Sequence, residues 1–236
     1  MNNFMQEQKE KIKEFEKKIG IKFKDENLLI QSLVHRSYIN ENPKFELEHN
    51  ERLEFLGDAV LELVVTEHLY KNYKESEGEL TNWRAALVKT ETLARVAREL
   101  EIEKYLLMSK GEALQKDGKS RNTILANAFE SLLGAIYLDK NYNKACDFIK
   151  KNLLKYLPEI LEKKLYKDSK SLFQEIAQEK FKITPEYEVV KEEGPDHNKK
   201  FLIRVLIGEK QIAEGEGYSK QEAEEAAARK ALDEID

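Results

Sequence analysis

Asn50-Glu51-Arg52-Leu53-Glu54-Phe55-Leu56-Gly57-Asp58-Ala59-Val60 is the run from which the rest of this 236-residue chain can be read. Glu51, Glu54 and Asp58 stand at i, i+3 and i+7, so a helix brings all three carboxylates to one face. Like charges so placed repel by roughly 0.2–0.5 kcal/mol per pair. A hydrated divalent cation over them would turn that cost into a use. The alternative is a solvated acidic face. Against it, Leu53, Phe55, Leu56, Ala59, Val60 and Leu61 leave the helix little width for solvent.

A second acid lies in a more apolar setting. Glu130 sits in Ile124-Leu125-Ala126-Asn127-Ala128-Phe129-Glu130-Ser131-Leu132-Leu133-Gly134-Ala135-Ile136, a run that marks a buried helix. A carboxylate there is costly unless it is protonated or meets a cation. That cation could be a metal ion or a structural arginine. Four scattered histidines and one cysteine, Cys146, offer no Cys/His metal spacing and no intramolecular disulfide. Hydrophobic residues at 41% and charged residues at 36% suit a helix-rich protein with a substantial core. No apolar run reaches the ~18 residues of a membrane span. Met1 to Lys13 is polar, without the apolar core of a signal peptide, so the expected location is cytoplasmic.

From Gln6 to about Pro158 apolar residues recur at helical intervals, as in Ile12, Phe15 and Ile19 or Leu93, Val96, Ala97 and Leu100. Breaks are expected at Gly20, Glu41-Asn42-Pro43, Glu75 to Glu79 around Gly78, and Lys116-Asp117-Gly118. A mainly α domain over 1–158 follows, with 159–167 read as a linker or a frayed helix. Over 168–236 the texture changes to a small α+β domain in the order α-β-β-β-α. Its elements are a helix from Ser169 to Lys180, strands at Tyr187–Lys191, Phe201–Ile207 and Gln211–Glu216, and a helix from Ser219 to Ile235. Ala223, Ala226, Ala227 and Ala231 are the packing positions of that last helix. The chain carries a net charge of −5, and the acid excess falls on the second domain. Any nucleic-acid contact must therefore come from local clusters and be strongly salt-sensitive.

The run from Asn50 to Val60 resembles the signature of bacterial ribonuclease III. The C-terminal order, with Gly194-Pro195-Asp196-His197 in its first hairpin and Ser219-Lys220 opening its last helix, resembles the double-stranded RNA-binding domain. Together the resemblances cover essentially the whole chain, nuclease first. They imply an Mg²⁺-dependent endoribonuclease acting on double-stranded RNA, with Mn²⁺ a possible substitute and no small-molecule substrate. On the matching positions Glu54, Asp58, Asn127 and Glu130 hold the metal, while Glu51, Asp58, Glu77 and Glu130 are catalytic. Glu77, read as lying in a loop before Gly78, would serve a second metal and the RNA. Glu62 matches no such position and is read as structural. Asn127 departs from the family, which usually has Asp there; an amide offers an oxygen but no charge and no base.

The resemblance further implies metal-assisted phosphodiester hydrolysis, leaving 5′-phosphate and 3′-hydroxyl ends with short 3′ overhangs. Staggered cuts need two sites across the duplex, hence a homodimer. Phe55 would insert into the partner subunit, its alternative being a plain core aromatic. RNA contacts would fall on Gln174 and Glu175, on Pro195, Asp196 and His197, and on Ser219 and Lys220. Gln221 and Glu224 stand where the family often has Lys or Arg, with Lys199, Lys200 or Lys230 as possible compensation. Ribosomal RNA precursors are the expected targets. The rival reading is a double-stranded-RNA-binding homodimer that cuts weakly or not at all because of Asn127. A docking role in ribonucleoprotein assembly is a third.

Overall fold

The computed structural model describes residues 2–114, 118–195 and 198–235, with side chains from residue 10 onward. It comprises two compact units, the first ending at Leu161 and the second starting at Glu162. The first contains α1 (Asn2–Ile19), α2 (Glu26–Ser32), α3 (Arg36–Glu41), α4 (Glu51–Asn72), α5 (Glu77–Val88) and α6 (Thr90–Glu99). After these come α7 (Lys110–Leu114), α8 (Lys119–Asp139), α9 (Tyr142–Asn152) and α10 (Leu157–Glu162). In α1 the expected stripe of Ile12, Phe15 and Ile19 is buried, and Gly20, in the left-handed region at φ 71°, ends the helix. Pro158 is followed by helix to Glu162, as the frayed-helix alternative for 159–167 allows. It lies in the first turn of α10, where its missing N–H has no intrahelical role.

The core is the crossing of α4 on α8. Leu53, Val60, Leu61, Val64, Val65 and Leu69 of α4 face a helix that is buried along most of its length, from Ile124 to Ile136. Two glycines set how close the helices come. A Cβ on Gly57 would fall 1.7 Å from the Glu130 carbonyl oxygen, and one on Gly134 would fall 2.2 Å from that of Leu53. The contact is backbone on backbone, and any side chain at either position would push the helices apart. At the far end of α8, the buried Asp139 carboxylate accepts from the backbone N–H groups of Lys24 and Asp25 at 2.8–3.0 Å, tying α8 to the start of α2.

Two expectations for this unit are corrected. Glu77 and Gly78 are not in a loop but in the first turn of α5. Ser76 caps the helix by accepting from the Glu79 N–H, while the Glu79 carboxylate accepts from the Ser76 N–H, so the helix begins two residues before Glu79. The solvent side of α4 is also broader than the apolar run suggested. Phe55, Leu63 and Tyr70 are 82%, 57% and 76% exposed on that side, and Leu138 of α8 is exposed too. Phe55 is therefore not a core aromatic within one chain.

The second unit comprises α11 (Ser169–Phe181), β1 (Glu186–Glu193), β2 (Lys200–Ile207), β3 (Lys210–Gly217) and α12 (Lys220–Ile235). The strands form one antiparallel sheet in the order β1-β2-β3. Each is longer than its apolar core predicts, because pairing carries charged residues such as Glu192 and Lys200 into the ladder. Both helices pack on one face around Phe173, Ala177, Val205, Ile207, Ala227, Ala228 and Ala231. Gly215 lets α12 lie against β3: a Cβ there would sit 2.1 Å from the Ala227 nitrogen. Ala228 is buried, whereas the expected packing residue Ala226 is only half-buried. Among the described residues no helix is long and apolar enough to cross a membrane.

Candidate active site

The start of α4 is pinned before its acids begin. Asn50 is buried, its N–H donates to the Val34 carbonyl at 2.9 Å, and its own carbonyl accepts from the Glu54 N–H. Glu51 and Glu54 occupy the first turn, where the helix dipole favours negative charge. Glu51 is exposed and lies 3.4 Å from Arg36 and 3.8 Å from His49. One turn on, Glu54 is half-buried. Burial pushes its carboxyl up, the charges of Glu51 and Asp58 push it further, and a hydrogen bond from Asn127 of α8 pulls the other way.

Across the glycine contact, α8 presents Glu130 to the same place. Burial pushes its carboxyl up to about 8, and the charges of Asp58, Glu54 and Glu62 add to the push. The charges that move Glu130 are all carboxylates, and among the described residues no arginine pairs with it. Arg84 of α5 is instead engaged with Glu62, at 3.0 Å, and with the Thr66 hydroxyl, at 2.9 Å. The expected structural role of Glu62 thus has a partner, but Glu62 also adds to the field at Glu130. That contribution was missed in the sequence, although Glu62 lies one turn beyond Asp58 on the same stripe.

Glu54, Asp58, Asn127 and Glu130 are therefore brought together by two helices. Glu51 joins them through Glu54. Glu77 does not join within one chain: it is exposed at the start of α5, and its charge is not among those acting on Glu54 or Glu130. Among the described residues no three His, Cys, Asp or Glu side chains already stand as a coordination set. The chemistry of the group nevertheless fits a hard divalent cation. Its donors are all oxygens, it carries excess negative charge, and a largely buried carboxyl has acids for its charged neighbours. Gly57 and Gly134, which make the convergence possible, also went unremarked in the sequence. The signal for them is one glycine in each of the two acid-bearing runs.

In the second unit Gln174 is exposed on α11, and the neighbouring Glu175 is held by Lys167 at 2.5 Å. Pro195 is exposed, while Asp196 and His197 lie outside the described residues. The Ser219 hydroxyl accepts from the Glu222 N–H at 3.1 Å at the start of α12. Lys220 follows, 3.3 Å from Glu192 and over the Phe201 ring at 5.7 Å.

Residues 25–157 match the model of the Ribonuclease-III-like family, and residues 169–235 match the double-stranded RNA binding motif. A "Ribonuclease 3" of Pelotomaculum thermopropionicum is 45% identical over 229 residues, covering 97% of this chain and 95% of that protein. Another from Clostridium tetani is 43% identical over 237 residues, covering 100% and 97%.

The chain belongs to the ribonuclease III family.

It is an endoribonuclease of that family's type, with a nuclease unit followed by a double-stranded RNA-binding domain. Among solved structures, the nuclease domain of ribonuclease III from Campylobacter jejuni superposes with a TM-score of 0.55 at 40% identity. It covers 62% of this chain and 99% of that one, and its description concerns a flexible region involved in dimer formation. As a ribonuclease III, the chain falls among nucleases that generally depend on divalent metal ions.

Proposed function

We propose that this chain is an Mg²⁺-dependent endonuclease of double-stranded RNA whose reaction centre lies between α4 and α8. The observation that carries the reading is Glu130, a largely buried carboxyl pushed up to about 8 by burial and by three other acids. Glu54, Asp58 and Glu130 would hold the cation, and Asn127 would offer it the amide oxygen. Mn²⁺ is an alternative occupant. The bound cation supplies Lewis-acid activation of water and of the phosphodiester. Glu51 would orient the attacking water, Asp58 would take the one proton it loses, and the departing 3′-oxygen would take its proton from solvent water. Glu77, exposed at the start of α5, faces the RNA or a second ion. Hydrolysis leaves a 5′-phosphate and a 3′-hydroxyl.

A homodimer is part of the same reading. An exposed apolar stripe of Phe55, Leu63 and Tyr70 runs along α4, and 82% exposure of a phenylalanine is costly in a lone chain. Pairing through Phe55 sets two centres across one duplex and yields short 3′ overhangs. Gln174, Glu175, Pro195, Ser219 and Lys220 form the surface that follows the duplex, and the RNA contacts expected at Asp196 and His197 lie outside the described residues. Such domains track A-form shape over ~16 base pairs. The nuclease domain is assigned to 1–158, extended by the rest of α10 to Leu161, with the linker in the remainder of 159–167 and the RNA-binding domain at 168–236. Ribosomal RNA precursors in the cytoplasm are the proposed targets.

The test is cleavage of a labelled RNA duplex somewhat longer than the ~16-base-pair footprint, with Mg²⁺ or with EDTA. Native chain, Asn127→Asp and Glu130→Gln are run side by side. Mg²⁺-dependent cutting lost in Glu130→Gln supports the reading. Binding without cutting, restored by Asn127→Asp, would favour the weakened-nuclease reading.

A further inference from the structure

The lysines of the second unit's duplex-facing end are held by glutamates of the same unit. Lys220, at the start of α12, and Lys199, just before β2, both reach one carboxylate, Glu192 of β1, at 3.3 and 3.8 Å. Glu192 stands opposite Phe201 in the sheet, and Lys220 rests over that ring. Two segments far apart in sequence, the residue before β2 and the start of α12, therefore converge on one acid of β1. Beside them Lys200 is held by Glu216 of β3 at 2.5 Å. The Lys199–Glu192–Lys220 group thus carries one net positive charge where its lysines alone would carry two.

We infer that Glu192 sets the affinity of the RNA-binding domain for duplex RNA by competing with phosphate for Lys199 and Lys220. The inference rests on the reading above that Lys220 belongs to the surface that follows the duplex, where a lysine's partner is backbone phosphate. Exposed ion pairs of this kind are weak and exchange readily. Phosphate can therefore take the lysines, but Glu192 stays beside it as an uncompensated anion. The carboxylate acts as a positioning residue that holds the lysines in place between encounters and lowers the affinity once the duplex has bound. Counterion release makes the effect measurable, because each phosphate neutralised contributes to the slope of log K against log salt.

The experiment measures binding of the full chain to a fluorescein-labelled RNA duplex of about 20 base pairs, enough for one ~16-base-pair footprint. EDTA is present throughout to stop cleavage, and the salt concentration is varied. Glu192→Gln is expected to bind about three- to tenfold more tightly at low salt, with a slope steeper by roughly 0.7–0.9. Glu188→Gln removes the same charge from the same strand, where Glu188 pairs with Arg204 at 2.7 Å, and is expected to behave like the native chain. Lys220→Gln is expected to weaken binding and flatten the slope. If Lys220→Gln weakens binding but Glu192→Gln matches the native affinity and slope, the Glu192 inference falls alone. Equal tightening by Glu188→Gln also overturns it, since net charge would then explain the effect. If Lys220→Gln binds like the native chain, the reading of Lys220 and the inference built on it both fall.

Discussion

Replacing Glu130 by Gln should stabilise the metal-free protein. In the fold the carboxyl is pushed up to about 8, whereas its ordinary value is 4.5. The unfolded chain therefore gives up this proton more readily. The group's contribution is complete below pH 4.5 and is lost as the pH rises towards 8. At 1.36 kcal/mol per pH unit, the loss accumulated by pH 7 has a ceiling of about 3.4 kcal/mol. Side-chain relaxation and screening by the solvent that reaches this partly accessible group reduce it to about 1–2 kcal/mol. Gln keeps the shape of the neutral acid and carries no titratable proton. Trp83, the chain's single tryptophan, is buried in α5 and reports on the nuclease unit. Urea unfolding followed by its fluorescence in EDTA should show Glu130→Gln more stable than native at pH 7, with the gap closing near pH 4.5. Divalent cation should then raise the native midpoint well above its effect on the variant. Equal or lower stability of Glu130→Gln at pH 7, with the same pH profile as native, would refute the account of Glu130 as a repelled, unpaired acid.

Gly57→Ala places a methyl group against the α8 backbone, so it should cost at least about 1–3 kcal/mol in urea unfolding and lower cleavage by separating Asp58 from Glu130. Asn127→Asp should lower the Mg²⁺ concentration that gives half-maximal cleavage by about tenfold, because a charged oxygen replaces a neutral one. In EDTA the same variant should be less stable than native, having exchanged the amide that donates to Glu54 for another acid. Phe55→Ala should lower the urea midpoint of the nuclease unit and remove its dependence on protein concentration, because the ring, 82% exposed in one chain, is covered only by the partner. Light scattering should find it monomeric. A monomer that still made staggered ends would remove Phe55 from the cleavage geometry.

What could be read in the sequence was largely what lies along one element. The acid row at Glu51, Glu54 and Asp58, the stripe of α1 and the alternation of Ile203, Val205 and Ile207 all follow from helix or strand period alone. The local exception is Glu77. The Ser76-to-Glu79 capping box was present in the sequence, but the cluster of acids around Gly78 looked more like a loop. The remaining gaps are matters of tertiary approach. The meeting of Asp58 and Glu130 depends on Gly57 and Gly134 touching backbones from different helices. The exposure of Phe55 depends on which side of α4 the rest of the core takes. The hold of Glu192 on two lysines depends on strand register, which fixes where β1 ends relative to α12.

The glycine contact between α4 and α8 also bears on which ions the centre would tolerate. Helices already touching through their main chains cannot draw closer around a small ion, and they cannot part for a large one without abandoning the contact that orders the core. Any adjustment to ionic radius falls to the rotamers of four short side chains. Exchange of Mg²⁺ for the larger Ca²⁺, which asks for more ligands at longer distances, would then be met by side-chain rearrangement over a fixed floor. The spacing of the carboxylates is a property of the backbone, and the proposed centre would work as a gauge rather than a clasp.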